Sequence, residues 1–275
     1  MTRRCEAPET KDRNMTKTKT MRFALLALAA STALGVAPAR LAQAEALTIT
    51  DENRAQIEAI IHDYLLNNPE VLAEAQKALE AKQEAAQKAA QKSLIAEAKD
   101  AIFTSEHDGI VGNPDGKVTI VEFFDYNCGY CKRAMADMDA MVAADKDLRF
   151  VLKEFPILGE DSQKAHVVAQ AVQRMMPEKY GAFHRKLLSS KGRADEAKAI
   201  AIAVEMGADE KALREKMQDP SIMDSFRSAY ELANKLSITG TPSYVVGDEV
   251  VFGALGREVL SAKIENLRSC NSTSC

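Results

Sequence analysis

The sequence predicts an α/β domain: a parallel β-α-β unit, a block of helices inserted after it, and a closing hairpin and helix, all preceded by a helical segment. Three stretches carry this expectation. Lys117-VTIVEFF-Asp125 is a near-continuous apolar run, the mark of a strand buried on both faces. LRFVLKEF (148–155) reads as a second strand one helix-length later. SYVV (243–246), a Gly247-Asp248 turn and VVF (250–252) read as a β-hairpin. With 275 residues, 46% of them apolar, the chain can bury a sizeable core, and only 13 Gly and 8 Pro exclude a collagen-like or disordered composition. A formal charge of −4 leaves no basic footprint for nucleic acid.

Residues 1–44 read as an export signal. Lys17, Lys19 and Arg22 precede the apolar run FALLALAASTALGV (23–36), which is shorter than the roughly 20 residues a membrane-spanning helix needs. Ala42-Gln43-Ala44 supplies an A-x-A site, so cleavage is expected after Ala44. The polar residues ahead of the basic stretch make Met15 or Met21 a candidate start. Without residues 1–44 the chain has 231 residues, 28 Lys+Arg against 37 Asp+Glu, and four cysteines: Cys128, Cys131, Cys270 and Cys275. Disulfides persist in exported proteins, and the expected address is a Gram-negative periplasm.

The first mature helix opens at Thr50, a good N-cap, with Asp51 and Glu52 at the positive end of the helix dipole. Ile57, Ile60, Ile61, Tyr64 and Leu65 recur at three- and four-residue spacing and form one apolar stripe. Asn68-Pro69-Glu70 restarts a helix, with Asn68 as cap, that runs from Pro69 to about Ile102. Its apolar side is mostly alanine (Ala75, Ala78, Ala85, Ala89) until Leu94 and Ile95. At about 25 cal/mol per Å² such a side gains little by burial, so the segment must pack on something. The segment reads either as a solvated linker helix or as an oligomerisation segment over residues 45–104, and the isoleucine stripe, with no obvious partner within the chain, favours the second.

From about Gly109 the character changes. Asn113-Pro114-Asp115-Gly116 is a turn into the first strand. A helix from Gly129 to Ala144 then returns the chain to the second strand, implying a parallel pair with a right-handed crossover. Helices are expected at 162–176, 178–189, 194–206, 208–218 and 221–236, punctuated by Pro177, Gly192, Gly207 and Asp219-Pro220. A last helix spans 257–269. The domain is therefore drawn at 105–275, with its helical insertion at about 161–237.

Cys128-Gly129-Tyr130-Cys131 carries the chemistry. The motif stands where a buried strand meets a helix, which places Cys128 at the helix N-terminus. Free N–H groups and the dipole favour a thiolate there, and a thiolate is the attacking group in disulfide exchange. Cys131, one turn further in, can resolve the mixed disulfide. A zinc site would need a second knuckle converging on this one, and Cys270 and Cys275 form a C-x4-C pair, four residues between them, in the last six residues of the chain. No metal or cofactor is expected. Glu122, in the middle of VTIVEFF and on the side of Val118, Ile120 and Phe124, is costly to bury as an ion. Six residues before Cys128, it is placed to accept or relay the Cys131 proton, with Lys153 at the end of the neighbouring strand as a candidate charge partner. Gly240-Thr241-Pro242-Ser243 opens a strand, where proline is tolerated.

Glu122-Phe123-Phe124-Asp125 leading into Cys128-Gly129-Tyr130-Cys131, the inserted helices, and Thr241-Pro242 before a strand together resemble the DsbA-like branch of the thioredoxin superfamily. The resemblance covers about residues 105–269. It implies a thioredoxin-like fold, a cis Pro242 facing the cysteines, and Thr241 offering backbone hydrogen bonds to a bound peptide. It also implies Cys128 as nucleophile, Cys131 as resolving thiol and Glu122 as buried acid. The strong periplasmic oxidase of that family carries Pro-His between its cysteines and Val before its cis proline. Gly129-Tyr130 and Thr241 resemble instead the disulfide isomerase DsbC, and make Gly129, Tyr130 and Thr241 the substrate-binding candidates. The segment 51–100, with DYLLNNPEVL (63–72), resembles the N-terminal region of the suppressor-of-copper-sensitivity group ScsC. Members of that group with a long N-terminal extension trimerise and act as isomerases or reductases, and some are tied to copper tolerance.

The sequence thus leads to a periplasmic thiol-disulfide oxidoreductase, leaning to isomerase or reductase. It would act on exported proteins as a homo-oligomer, a trimer being favoured, and exchange electrons with a membrane redox partner. A monomeric dithiol oxidase is the rival of the same class, and a copper carrier using the Cys pair as ligands the rival of another. Met135, Met138 and Met141 are expected in the core, where methionine fills gaps, rather than on copper. None of the four histidines has metal spacing, and Cys270/Cys275 are expected as a local disulfide or a disordered end.

Overall fold

Thr50 caps the first helix, α1 (Asp51–Asn67): its Oγ1 accepts the Asn53 N–H at 3.3 Å, with Asp51 and Glu52 in the first turn. The structure, a computed structural model, describes residues 50–275, and the export signal read in residues 1–44 lies outside them. Ile57, Ile60, Ile61 and Tyr64 are all exposed on α1. Asn68 closes this helix instead of opening the next one. Its Nδ2 donates to Tyr64 O at 2.8 Å, the same carbonyl that accepts its own backbone N–H at 2.8 Å, so both donors of Asn68 close the last turn. Pro69 then stands at the N-cap of α2 (Glu70–Glu97).

α2 is exposed over most of its length and becomes part of a core only near its end. The alanine-rich pattern predicts a single helix to Ile102; the helix instead breaks at Ala98 (φ −96°, ψ 13°) and resumes as α3 (Lys99–Phe103). The break lets both Ile95 and Ile102 reach one apolar cluster with Val121, Phe123, Val151 and Phe155. A straight helix would carry Ile102 past it. Polar contacts hold the same stretch: Val250 N–H donates to Gln91 Oε1 at 3.0 Å, and Lys92 pairs with Asp248 at 2.9 Å.

The sheet has five strands, β1 (Gly109–Gly112), β2 (Val118–Phe124), β3 (Leu148–Glu154), β4 (Ser243–Val246) and β5 (Glu249–Phe252), in the order β1-β3-β2-β4-β5. β2 and β3 are parallel, joined by α4 (Gly129–Ala144), and every other pair is antiparallel. β1 has no strand signal in the sequence. Two of its four residues are glycine, and Gly109 is required by packing, since a Cβ there would sit 1.7 Å from the Tyr180 ring.

Strand alternation sends Ile120, Phe124, Phe150 and Leu152 to one face of the sheet. That face is covered by α4 and by the inserted α5 (Glu160–Met175) and α6 (Pro177–Leu188), with α7 (Glu196–Glu205) and α8 (Glu210–Lys216) beyond. Met138 and Met141 are buried in this core and Met135 packs against it. Val121, Phe123 and Val151 face the other way, under α3 and the end of α9 (Pro220–Lys235). The register settles Lys153 as well. It lies opposite Phe123, not Glu122, so its side chain leaves on the α3 face, where Nζ pairs with Asp108 and donates to Ala101 O. Lys153 is therefore not the partner of Glu122, because neighbouring registers point to opposite faces.

α10 (Arg257–Cys270) ends the fold, and Cys270 and Cys275 are joined in a disulfide. The small ring so closed docks on the β4–β5 turn: Asp248 accepts Thr273 N–H at 2.9 Å, Thr273 Oγ1 at 3.0 Å and Ser272 Oγ at 2.9 Å. Converting both cysteines to serine is expected to cost about 1–2 kcal/mol through the entropy of so short a ring. Thermal unfolding should fall by roughly 3–6 °C, with faster amide exchange at residues 246–249. An unchanged midpoint and unchanged exchange would mean that the ring holds nothing.

Candidate active site

Phe124 ends β2, and a short loop later Cys128 caps α4 (φ −78°, ψ 116°). That loop is braced by the insertion. Asp125 Oδ1 accepts Asn127 N–H at 2.7 Å and Ser162 Oγ at 2.8 Å, while Oδ2 accepts Leu158 N–H at 3.0 Å. Asn127 is clamped to Ala194 in both directions, donating to its O at 2.9 Å and accepting its N–H at 2.7 Å. Tyr126 N–H donates to His166 Nε2 at 3.2 Å. Since Nε2 accepts, Nδ1 carries the proton and points it at Glu154, which also receives the Tyr180 hydroxyl at 2.5 Å. Asp125, Ser162, His166, Glu154 and Tyr180 are all buried, so the brace is a polar network shielded from water.

The sequence gives none of these residues a role. The one trace of His166 in the pattern is a polar residue on an otherwise apolar face of α5, beside Ala165, Val168, Ala169 and Val172. That signal has no meaning until Tyr126 and Glu154, remote in sequence, are seen against it.

Cys128 and Cys131 are both free thiols. Cys128 Sγ accepts the Cys131 N–H at 3.4 Å and lies 3.1 Å from Thr241 O, across 113 residues of chain. The Cys128 thiol is brought down to about 5, chiefly by the hydrogen bond from the Cys131 thiol, against burial, with Thr241 and the Cys131 and Tyr130 amides adding to it. At neutral pH it is a thiolate. Cys131 is fully buried, and burial, followed by the hydrogen bond it makes to Cys128 and then by the nearby Glu122 carboxyl, pushes it far up. One thiol is thus poised to attack and the other keeps its proton until needed.

Glu122 lies on the same side of the sheet, opposite Tyr244 of β4. Burial pushes its carboxyl up to about 8, the Cys128 charge adds to this, and a hydrogen bond from Tyr244 partly opposes it. Gly129 and Tyr130 form the open mouth of the site. A Cβ at Gly129 would meet nothing nearer than Arg133 Nη1 at 3.9 Å. Tyr130 is 60% exposed, with the Arg133 guanidinium 4.2 Å from its ring centroid. The Thr241–Pro242 peptide is cis. The structure therefore brings together Cys128, Cys131, Glu122, Gly129, Tyr130, Thr241 and Pro242, and leaves out Lys153. Among the described residues, no group of three or more His, Cys, Asp or Glu side chains could hold a metal ion.

The DSBA-like thioredoxin domain matches residues 119–265, more than half of the chain, and the copper resistance protein ScsC N-terminal domain matches residues 53–86. A thioredoxin-like oxidoreductase from Silicibacter pomeroyi DSS-3 is 40% identical, over 62% of this chain and 98% of that one, with a TM-score of 0.59. ScsC of Proteus mirabilis in a transitional conformation is 28% identical, over 80% of this chain and 99% of that one, with a TM-score of 0.59. Disulfide bond formation protein D of Bacillus subtilis is 25% identical over 154 residues, 52% of this chain and 68% of that protein. Na(+)/H(+) antiporter NhaA 1 of Salinispora arenicola is 26% identical over 162 residues, and the match spans only 24% of the antiporter's length. The fold is thioredoxin-like, with a helical block inserted between β3 and β4.

Proposed function

The chain belongs to the DsbA-like thioredoxin family of thiol-disulfide oxidoreductases, with an ScsC-type N-terminal domain, and we propose that it isomerises or reduces disulfides of exported proteins in the periplasm. One observation carries this reading: a helix-capping thiolate, Cys128, 6% exposed beside the open Gly129-Tyr130 mouth and backed by a fully buried, protonated Cys131. Cys128 attacks a substrate disulfide; the new S–S bond joins it to one substrate sulfur, and the other leaves as a thiolate. In isomerisation that thiolate attacks another disulfide of the substrate, the thiolate so displaced attacks the substrate sulfur of the mixed disulfide, and Cys128 leaves as the thiolate it began as. In reduction, Cys131 gives up its proton and attacks Cys128 Sγ. The substrate leaves as a dithiol, and its two electrons have come from the Cys128/Cys131 pair. Formation of the mixed disulfide removes the Cys128 charge that raises Glu122. Loss of that charge lowers the Glu122 carboxyl, which can then ionise ahead of resolution and stand ready to accept the Cys131 proton. A membrane redox partner would then restore the dithiol.

The exposed stripe of α1 and the ScsC N-terminal match over residues 53–86 support assembly of protomers, a trimer being favoured, around a shared substrate. Truncation is a poor test, since Ile95 and Ile102 belong to the core. Ile57→Lys, Ile60→Lys and Ile61→Lys together are expected to give a monomer on light scattering and to slow reactivation of scrambled ribonuclease about tenfold. Oxidation of reduced ribonuclease should persist. Unchanged mass and unchanged reactivation would remove the oligomer from the mechanism. A second reading, a dithiol oxidase acting as a monomer, is favoured by the Cys128 thiolate itself, because whatever stabilises the reduced form makes the couple more oxidising. It calls for ribonuclease oxidation to outpace reactivation in both proteins.

A further inference from the structure

At the end of β2 away from Cys128, a cleft of about 610 Å³ opens between the end of α2, α3, the first residues of β2 and β3, and the last turn of α10. Lys92, Lys99, Lys117, Arg149 and Arg268 stand around it. The acid in its lining, Asp248, is already committed. Burial would raise its carboxyl, but bonds from Thr273, Lys92 and Ser272 outweigh this and hold it well below the usual range. Arg268 pairs outward with Asp145 at 2.7 Å. Lys99 and Lys117 form no ion pair with any described residue. Arg149 donates Nε to Thr119 Oγ1 and one Nη1 proton to Pro114 O, which leaves guanidinium donors unused. Uncompensated cations thus share one recess of a protein whose residues beyond 44 are acidic overall.

The recess is not merely a charged surface. Ile95, Phe103, Val118 and Leu267 contribute apolar surface to it. A concave site of a few hundred Å³ with an apolar wall and a few convergent charges is the ordinary form of a small-molecule site. Clustered like charges repel, and an anion seated among them would relieve that repulsion while its body covers the apolar wall. We propose that this cleft binds an organic anion with an apolar body, an aromatic or acyl carboxylate, sulfonate or phosphate monoester. The site lies apart from the cysteines and does not depend on their chemistry.

The test uses the full chain with 8-anilinonaphthalene-1-sulfonate as probe, followed by fluorescence and calorimetry at low salt. One saturable site per chain is expected, weakened about tenfold by Lys99→Glu with Lys117→Glu and weakened by added salt. Dodecanoate should displace the probe, and inorganic phosphate at the same concentration should not. Ile57→Ser with Ile60→Ser and Ile61→Ser should leave binding intact. Absence of a saturable site, or full affinity in the Lys99/Lys117 variant with loss in the isoleucine variant, would overturn the proposal. So would displacement by phosphate as effective as that by dodecanoate, which would mark a bare anion site. Lys99 and Lys117 are exposed, so the variant folds, and its circular dichroism verifies this independently.

Discussion

Cys128→Ser is expected to reduce disulfide exchange by at least about a thousandfold, since it removes the nucleophile through which every route passes. Cys131→Ala should instead accumulate a covalent complex between Cys128 and substrate, visible on a non-reducing gel, because the resolving thiol is gone. The asymmetry follows from the site, where Cys128 is brought down to about 5 and Cys131 is pushed far up by burial. Alkylation of reduced Cys128 by iodoacetamide should accordingly stay nearly constant from pH 8 to pH 6 and fall only as pH drops through about 5. An ordinary thiol would lose reactivity below about pH 8.5. The hydrogen bond from Cys131 is the largest cause of the lowering, so Cys131→Ala should also move the midpoint upward. A midpoint near 8 in the wild type would defeat the assignment of Cys128 as the attacking thiolate.

Glu122→Gln is expected to stabilise the reduced protein at alkaline pH while slowing its chemistry. Folding raises the Glu122 carboxyl from an ordinary 4.5 to about 8, chiefly by burial. Between those values the native state holds a proton that the unfolded chain has released, so stability falls as pH rises through that window. Glutamine carries no such penalty. The variant should therefore match the wild type at pH 4.5 and exceed it progressively up to pH 8, by a few kcal/mol, or roughly 5–10 °C in thermal midpoint. Resolution of the mixed disulfide should slow by about tenfold or more, because the acceptor for the Cys131 proton has been removed. Equal thermal midpoints across the whole pH range would show that Glu122 is not buried as a neutral acid.

Much of this site is legible in the linear sequence. The apolar run into Cys128 announces a strand meeting a helix, and an acidic residue inside that run announces a buried titratable group. Pro242 and Thr241 enter through resemblance alone, for nothing local says that they meet Cys128 across 113 residues. Lys153 shows the opposite failure. It stands close to Glu122 along the neighbouring strand, yet one step of register sends it to the other face, toward Asp108. His166, Asp125 and Ser162, which brace the loop ahead of Cys128, leave no usable signal.

Periodicity and capping are encoded within about ten residues, and for this chain they determined the helices, four of the five strands, and the position of Cys128 on a helix N-terminus. The tertiary structure alone decided the edge strand β1, the break at Ala98, and which charge answers which. Each of these depends on a contact between segments far apart in sequence: Tyr180 over Gly109, Ile102 under Phe123, Thr273 on Asp248. A buried charge takes its partner from strand register and helix docking, and neither quantity is written in the local pattern.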